Sequence, residues 1–292
     1  MFAVLLATCF WSFGGVLGKS THTSGVVLSF WRMWIASLVL TVILLVAHRR
    51  PTLADFRRTA VAGVLFGLNI CAFFVALESV SIATALIIAA LGPVVALPIS
   101  IVVYGEHITA LKVVCAVVSV AGVIVAILVA PSSASGDRTS TIGYLWALLS
   151  LVLWVGYLLV SKGVRAQVDT LPFMFIVSFI GALTISVLAA IGGDDLGAMH
   201  GTAWIWVTML AVGPGIAGHG LVAWAQPRVD ASVTSILIQA EPVGASATAW
   251  IVLGERVSIG QALAMAVVIV ALCLLAYTES REGTIELVDA IS

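Results

Sequence analysis

Residues 93–106 read PVVALPISIVVYGE, and residues 242–255 read PVGASATAWIVLGE. In each copy a glycine follows the proline by 12 positions and a glutamate comes next, giving Pro93, Gly105 and Glu106 in one and Pro242, Gly254 and Glu255 in the other. The second copy begins 149 residues after the first. Each closes a long apolar segment and is followed by a short polar stop and a further apolar segment. So long a shared spacing indicates a duplicated chain, with each Gly-Glu as the end of a helix: glycine suits the left-handed residue that terminates helices, and the glutamate satisfies backbone donors or a basic neighbour.

Those apolar segments cannot be the core of a water-soluble domain. Of the 292 residues, 62% are hydrophobic and 9% are charged, against roughly a quarter charged in soluble domains. Mean hydropathy is +1.20. About 20 mostly apolar helical residues cross a hydrocarbon layer of roughly 30 Å, and stretches of that length recur throughout. The chain reads as an all-α membrane protein surrounded by lipid bilayer. A net charge of −1 gives no reason to expect nucleic acid as a partner. Cys9, Cys71, Cys115 and Cys273 lie apart in apolar runs, without metal-ligand or CxxC spacing. They read as packing residues, and no metal or other cofactor is expected. The first apolar stretch runs into Gly18-Lys19-Ser20 and then another span, without the pattern of a cleaved signal peptide.

Ten transmembrane helices are predicted, over about 2–19, 25–47, 59–77, 81–103, 109–129, 142–162, 171–192, 202–222, 230–252 and 257–277. The segment PSSASGDRTST at 131–141 has linker composition. It separates a first five-helix repeat, 1–130, from a second, 142–278, and residues 279–292 read as a mobile cytoplasmic tail. Lysine and arginine are retained on the cytoplasmic side. With the N-terminus inside, nine fall on inner segments and three on outer ones, which places both termini in the cytoplasm and the protein in the plasma membrane. An odd number of spans per half makes the second half enter the membrane in the opposite sense. Such inverted repeats place a substrate site near the midplane between halves that rock against each other. Trp11 precedes Lys19 by eight residues, as Trp154 precedes Lys162. The lysines read as snorkelling helix-end cations. The tryptophans lie about 12 Å deeper and either line a cavity or pack.

An ionisable group in mid-span costs about 2.5–3.5 kcal/mol on insertion scales and is a functional candidate by default. Glu241 lies about eleven residues into the ninth span. Beside it Pro242 cannot donate and is expected to free the Ile238 carbonyl. The pair reads as a carboxylate at a helix break that binds a cation or proton, or as a protonated group that stabilises the break. Pro93, with Pro98 five residues on, predicts a kinked fourth span. The eighth span carries GPGIAGHGLVAWAQP at 213–227, and its His219 can exchange a proton near neutral pH. Adding the repeat offset to Asn69 gives Gly218, one residue from His219. Tyr157 and Gln239 complete the candidate substrate-contacting set of Trp11, Asn69, Trp154, Tyr157, His219, Gln239 and Glu241. No HExxH, paired membrane aspartates or nucleophile elbow points to an enzyme.

These residues resemble the EamA domains of the drug/metabolite transporter superfamily. The match is fullest in ILIQAEPVGASATAWIVLGERVSIGQALAMAVVIVAL at 236–272, with its Glu-Pro and Leu-Gly-Glu-Arg elements. The first half, ALIIAALGPVVALPISIVVYGEHITALKVVCAVVSVAGVIVAI at 85–127, is similar but has Gly92, Tyr104 and His107 where the second has Glu241, Leu253 and Arg256. SFWR, ending in Arg32, is similar to the arginine near the outer end of the family's second helix. The resemblance implies a transporter that exports or exchanges a small metabolite, such as an amino acid. The inverted halves suggest alternating access, and Glu241 and His219, which could titrate when buried, make protons a candidate coupling ion. The alternative that the resemblance leaves is a flippase for a lipid-linked or amphipathic substrate.

Overall fold

The structure is a computed structural model. It describes residues 1–80, 82–129, 140–253 and 258–289, without the side chains of residues 83, 249–253 and 279–289. Gly254 and Glu255, the end of the second repeated motif, lie outside the described residues, as does most of the expected linker. Every regular element among the described residues is helical. Short polar residues set where the spans begin. Ser24 Oγ accepts from Val27 N to open α3 (Gly25–Val46). Thr52 and Asp55 form a reciprocal capping box at the start of α4 (Leu53–Ser79). Thr109 caps α7 (Ala110–Leu128).

Nine helical stretches among the described residues are long and apolar enough to cross a membrane. They correspond to nine of the ten expected spans. The remaining one, expected over 230–252, is divided into α12 (Ala231–Leu237) and α13 (Ala240–Leu253). Three of the nine are also interrupted. The first is α1 (Phe2–Trp11) and α2 (Gly14–Lys19), and the fourth is α5 (Ile82–Ala89) and α6 (Gly92–Tyr104). The eighth runs from α10 (Ala203–Leu210) through a π-helix at Ala211–Gly218 into α11 (His219–Ala225). The continuous ones include α8 (Thr141–Arg165) and α9 (Thr170–Gly192). The last helix, α14 (Ile259–Asp289), extends past the expected end at 277 into the tail. Residues 279–289 hold no proline, so nothing in their sequence forces the helix to stop.

The prolines mark the breaks but do not sit at them. In the fourth span the chain tightens before Pro93, where Leu91 N donates to Ile88 O and Val94 N to Leu91 O. Pro93 then falls in the first turn of α6, where a missing N–H costs nothing because those donors have no partner within the helix. Pro98 lies inside α6 without interrupting it. In the ninth span Glu241 N donates to Ile238 O at 2.9 Å, so the carbonyl expected to be free is occupied. The two breaks meet: Gln239 Nε2 donates to Ala90 O at 2.8 Å. Gly105 takes φ +63° and ends α6, as the motif predicts.

The halves interleave. α3 packs on α9, α4 on α8 and α9, α6 on α12, α7 on α14, and α1 on the π-helix and α11. Glycine permits the tightest of these approaches. A Cβ on Gly67 would lie 2.7 Å from Gly181 Cα, and one on Gly63 would lie 2.7 Å from Ile180 Cβ.

Candidate functional site

The π-helix turns one face of the eighth span towards α1. His219 N bonds back five residues to Pro214 O, and Trp11 Nε1 donates to the same carbonyl at 3.1 Å. Gly218 makes room, since a Cβ there would meet the Trp11 indole nitrogen at 2.5 Å. Single π-turns inside helices recur at functional sites because they re-aim side chains. Here the re-aimed residue is His219, 6% exposed. Its ring centroid is 4.7 Å from Trp11, 4.7 Å from Phe66 and 5.8 Å from Trp154. Trp11 and Trp154 meet edge to face at 5.5 Å, and Tyr157 lies 5.5 Å from Trp154 and 4.8 Å from Phe66. Nδ1 of His219 is buried with no hydrogen-bond partner among the described residues. The result is an aromatic wall, drawn from α1, α4, α8 and α11, around one titratable ring.

Of the seven candidate residues, Trp11, Trp154, Tyr157 and His219 converge. Asn69 does not join them through its amide: Nδ2 donates to Ser150 O and Oγ at 2.9 and 3.0 Å, tying α4 to α8. Gln239 is likewise committed, to Ala90. Glu241 is partly exposed at the break in the ninth span. Its carbonyl accepts from Ser12 Oγ at 3.4 Å, where the first span is also interrupted. Phe66 and Ser12 are members that sequence reading misses. An isolated phenylalanine or serine in an apolar run has no signal of its own. Arg32, noticed only through its motif, is 4% exposed. Its Cζ stands 5.5 Å from the Phe74 ring centroid.

A second polar constellation closes one end of the bundle, where α6 and α8 end and α7 and α12 begin. Glu106 Oε1 accepts from Lys162 Nζ at 2.5 Å and Ala231 N at 2.8 Å. Its Oε2 accepts from Ser232 N at 3.0 Å and Ser232 Oγ at 2.6 Å. Asp230 takes Lys112 at 3.0 Å and Lys162 at 3.3 Å. Burial by itself raises the Glu106 carboxyl, but the bonds from Lys162, Ser232 and Ala231 outweigh it and hold the group at about 2. Glu106 thus caps a helix of the other repeat as well as binding a lysine. Lys162, read from sequence as snorkelling, has a side chain only 19% exposed and two acidic partners.

An apolar cavity of about 510 Å³ lies elsewhere, between α1, α3, α9 and the eighth span. None of the converging aromatic residues lines it. Among the described residues no three His, Cys, Asp or Glu side chains gather as a metal site requires.

The chain belongs to the EamA-like transporter family, whose model matches residues 1–128 and 141–277 as two repeats. It is therefore a multi-pass membrane transporter of the drug/metabolite superfamily, the class that the Glu-Pro and Leu-Gly-Glu-Arg elements predict. One solved crystal structure shares the fold at a TM-score of 0.77, with 22% identity, over 94% of this chain and 97% of that one. No curated protein matches in sequence.

Proposed function

We propose that this protein exports or exchanges a small organic solute, such as an amino acid, across the plasma membrane by alternating access between two inverted five-helix halves, with both termini cytoplasmic. The observation that carries this reading is the convergence of Trp11, Trp154, Tyr157 and His219 beside interrupted helices. Transporters place their sites where helices are discontinuous, because backbone and side chains there can face the solute. The Glu106–Lys162–Asp230 cluster supports closure of one end in the present conformation, since it bonds the two halves together where four helices end or begin. Glu241 is the candidate proton or cation group, and no enzymatic role is assigned. None of the aromatic-wall residues lines the apolar cavity, although Phe10 and Gly220, which do, adjoin Trp11 and His219 in the chain. No observation favours a lipid-flipping function.

The test is solute uptake by proteoliposomes, with and without a pH gradient, over amino acids, nucleosides, sugars and organic cations. Transport of at least one solute is expected, with Trp11→Ala or His219→Ala reducing it tenfold or more. If the gradient drives transport, Glu241→Gln is expected to abolish that dependence, and an unchanged response to the gradient would remove the carboxylate from the mechanism.

A further inference from the structure

Arg32 is a buried cation with no anion bonded to it among the described residues. It is the eighth residue of α3, about 10 Å along the helix at 1.5 Å per residue. Nearby polar side chains on the same helix are satisfied: Trp31 Nε1 donates to Leu196 O at 2.9 Å and Trp34 Nε1 to Ser186 Oγ at 3.1 Å. Arg32 has five N–H donors, yet it makes no hydrogen bond or ion pair among the described residues while being 4% exposed. Glu78, at the end of α4, is engaged instead by Gly25 N, two turns from Arg32. The Phe74 ring offers a cation–π contact, which eases the charge but accepts none of its donors in the plane. A guanidinium does not shed its proton to escape such a setting, and a largely buried charge without a counter-ion costs stability.

The location is informative. A Cβ on Gly215 would lie 3.8 Å from Arg32 Nε, so the guanidinium faces the π-helix at a residue without a side chain. Gly215 is one helical turn before His219, against which the aromatic wall is built. We propose that Arg32 is an anion subsite of the translocation path and takes the carboxylate of a small organic solute, whose remainder lies towards the Trp11–His219 wall. A carboxylate matches the planar fork of donors in pairs, and it supplies a counter-charge that none of the described residues provides. This inference rests on the transporter reading and narrows its substrate to carboxylate-bearing solutes.

The full chain in lipid nanodiscs, followed by thermal unfolding, tests it with matched acids and amides: acetate and acetamide, phenylacetate and phenylacetamide, phenylalanine and phenylalaninamide. At saturation at least one acid should raise Tm by a few degrees while its amide does not, on the order of the shift expected for ligand well above its Kd. Arg32→Gln should erase that difference, and Arg32→Lys should keep it with affinity about tenfold weaker, one point charge replacing a bidentate fork. Without solute, Arg32→Gln should unfold at or above the wild-type temperature. Equal shifts by acid and amide, no shift with any acid, or solute-free unfolding several degrees lower in both variants would each overturn the proposal. Proteoliposome uptake judges transport separately. Movement of neutral solutes without acid-selective binding removes the subsite and leaves transport standing; acid-selective binding without uptake does the reverse.

Discussion

Glu106 takes four donors from the second half of the chain, one from Lys162, one from Ala231 and two from Ser232. Its folded-state carboxyl, near 2, is below the ordinary 4.5, so linkage fixes the sign. The stability it contributes is complete above about pH 4.5 and is lost as pH falls towards 2. Thermal unfolding between pH 6 and 3 should show a falling Tm in the wild type and a flatter profile in Glu106→Gln. At neutral pH that variant should lose on the order of 2–3 kcal/mol, below the usual range for breaking a buried pair, because Lys162 keeps Asp230. Sequence made part of this legible. A glutamate after a helix-ending glycine is expected to find backbone donors or a base, but which ones depends on a helix start 125 residues away. The aromatic candidates were legible for a similar reason: repeated spacing flags Trp11 and Trp154. Asn69 and Gln239 look the same as site residues in sequence, and only their partners, Ser150 and Ala90, distinguish them as links between helices.

The interruptions lie at the scale of elements. Pro93 and Pro242 each accompany a discontinuity, yet each belongs to the helix that follows, so the break comes before it in both repeats, whereas Pro98 interrupts nothing. The bond from Gln239 to Ala90 joins the two gaps. Gln239→Leu would leave that carbonyl buried and unanswered, a loss of about 1–3 kcal/mol, visible as a lower Tm with lipid composition held fixed. The α4–α9 crossing depends on closeness instead. Gly67→Leu drives carbon into Gly181 backbone, and the expected outcome is a protein that does not survive detergent extraction as a monodisperse species on size-exclusion chromatography. The π-helix is the element least readable beforehand. Its glycines and Pro214 announce irregularity, but nothing in their order says that the turn will be wide rather than kinked.

For the whole molecule, nine of the ten spans expected from hydropathy have a membrane-crossing helical stretch among the described residues, whereas the pairing of helices could not be read from sequence. α3 finds α9 and α7 finds α14, contacts that require the folded arrangement to become apparent. Because the largest surfaces cross between repeats, a chain cut within 131–141 should assemble when both pieces are made together. Residues 1–130 made alone should be degraded or aggregate, as read by recovery of a tagged half from membranes. The ionic cluster at one end has a further consequence. Glu106 lies in the first half and Lys162 and Asp230 in the second, so this end opens only by drawing the carboxylate away from its lysine and from the start of α12. Charges drawn apart into water are screened by dissolved ions, so a rise in salt concentration would favour the parted state over the closed one.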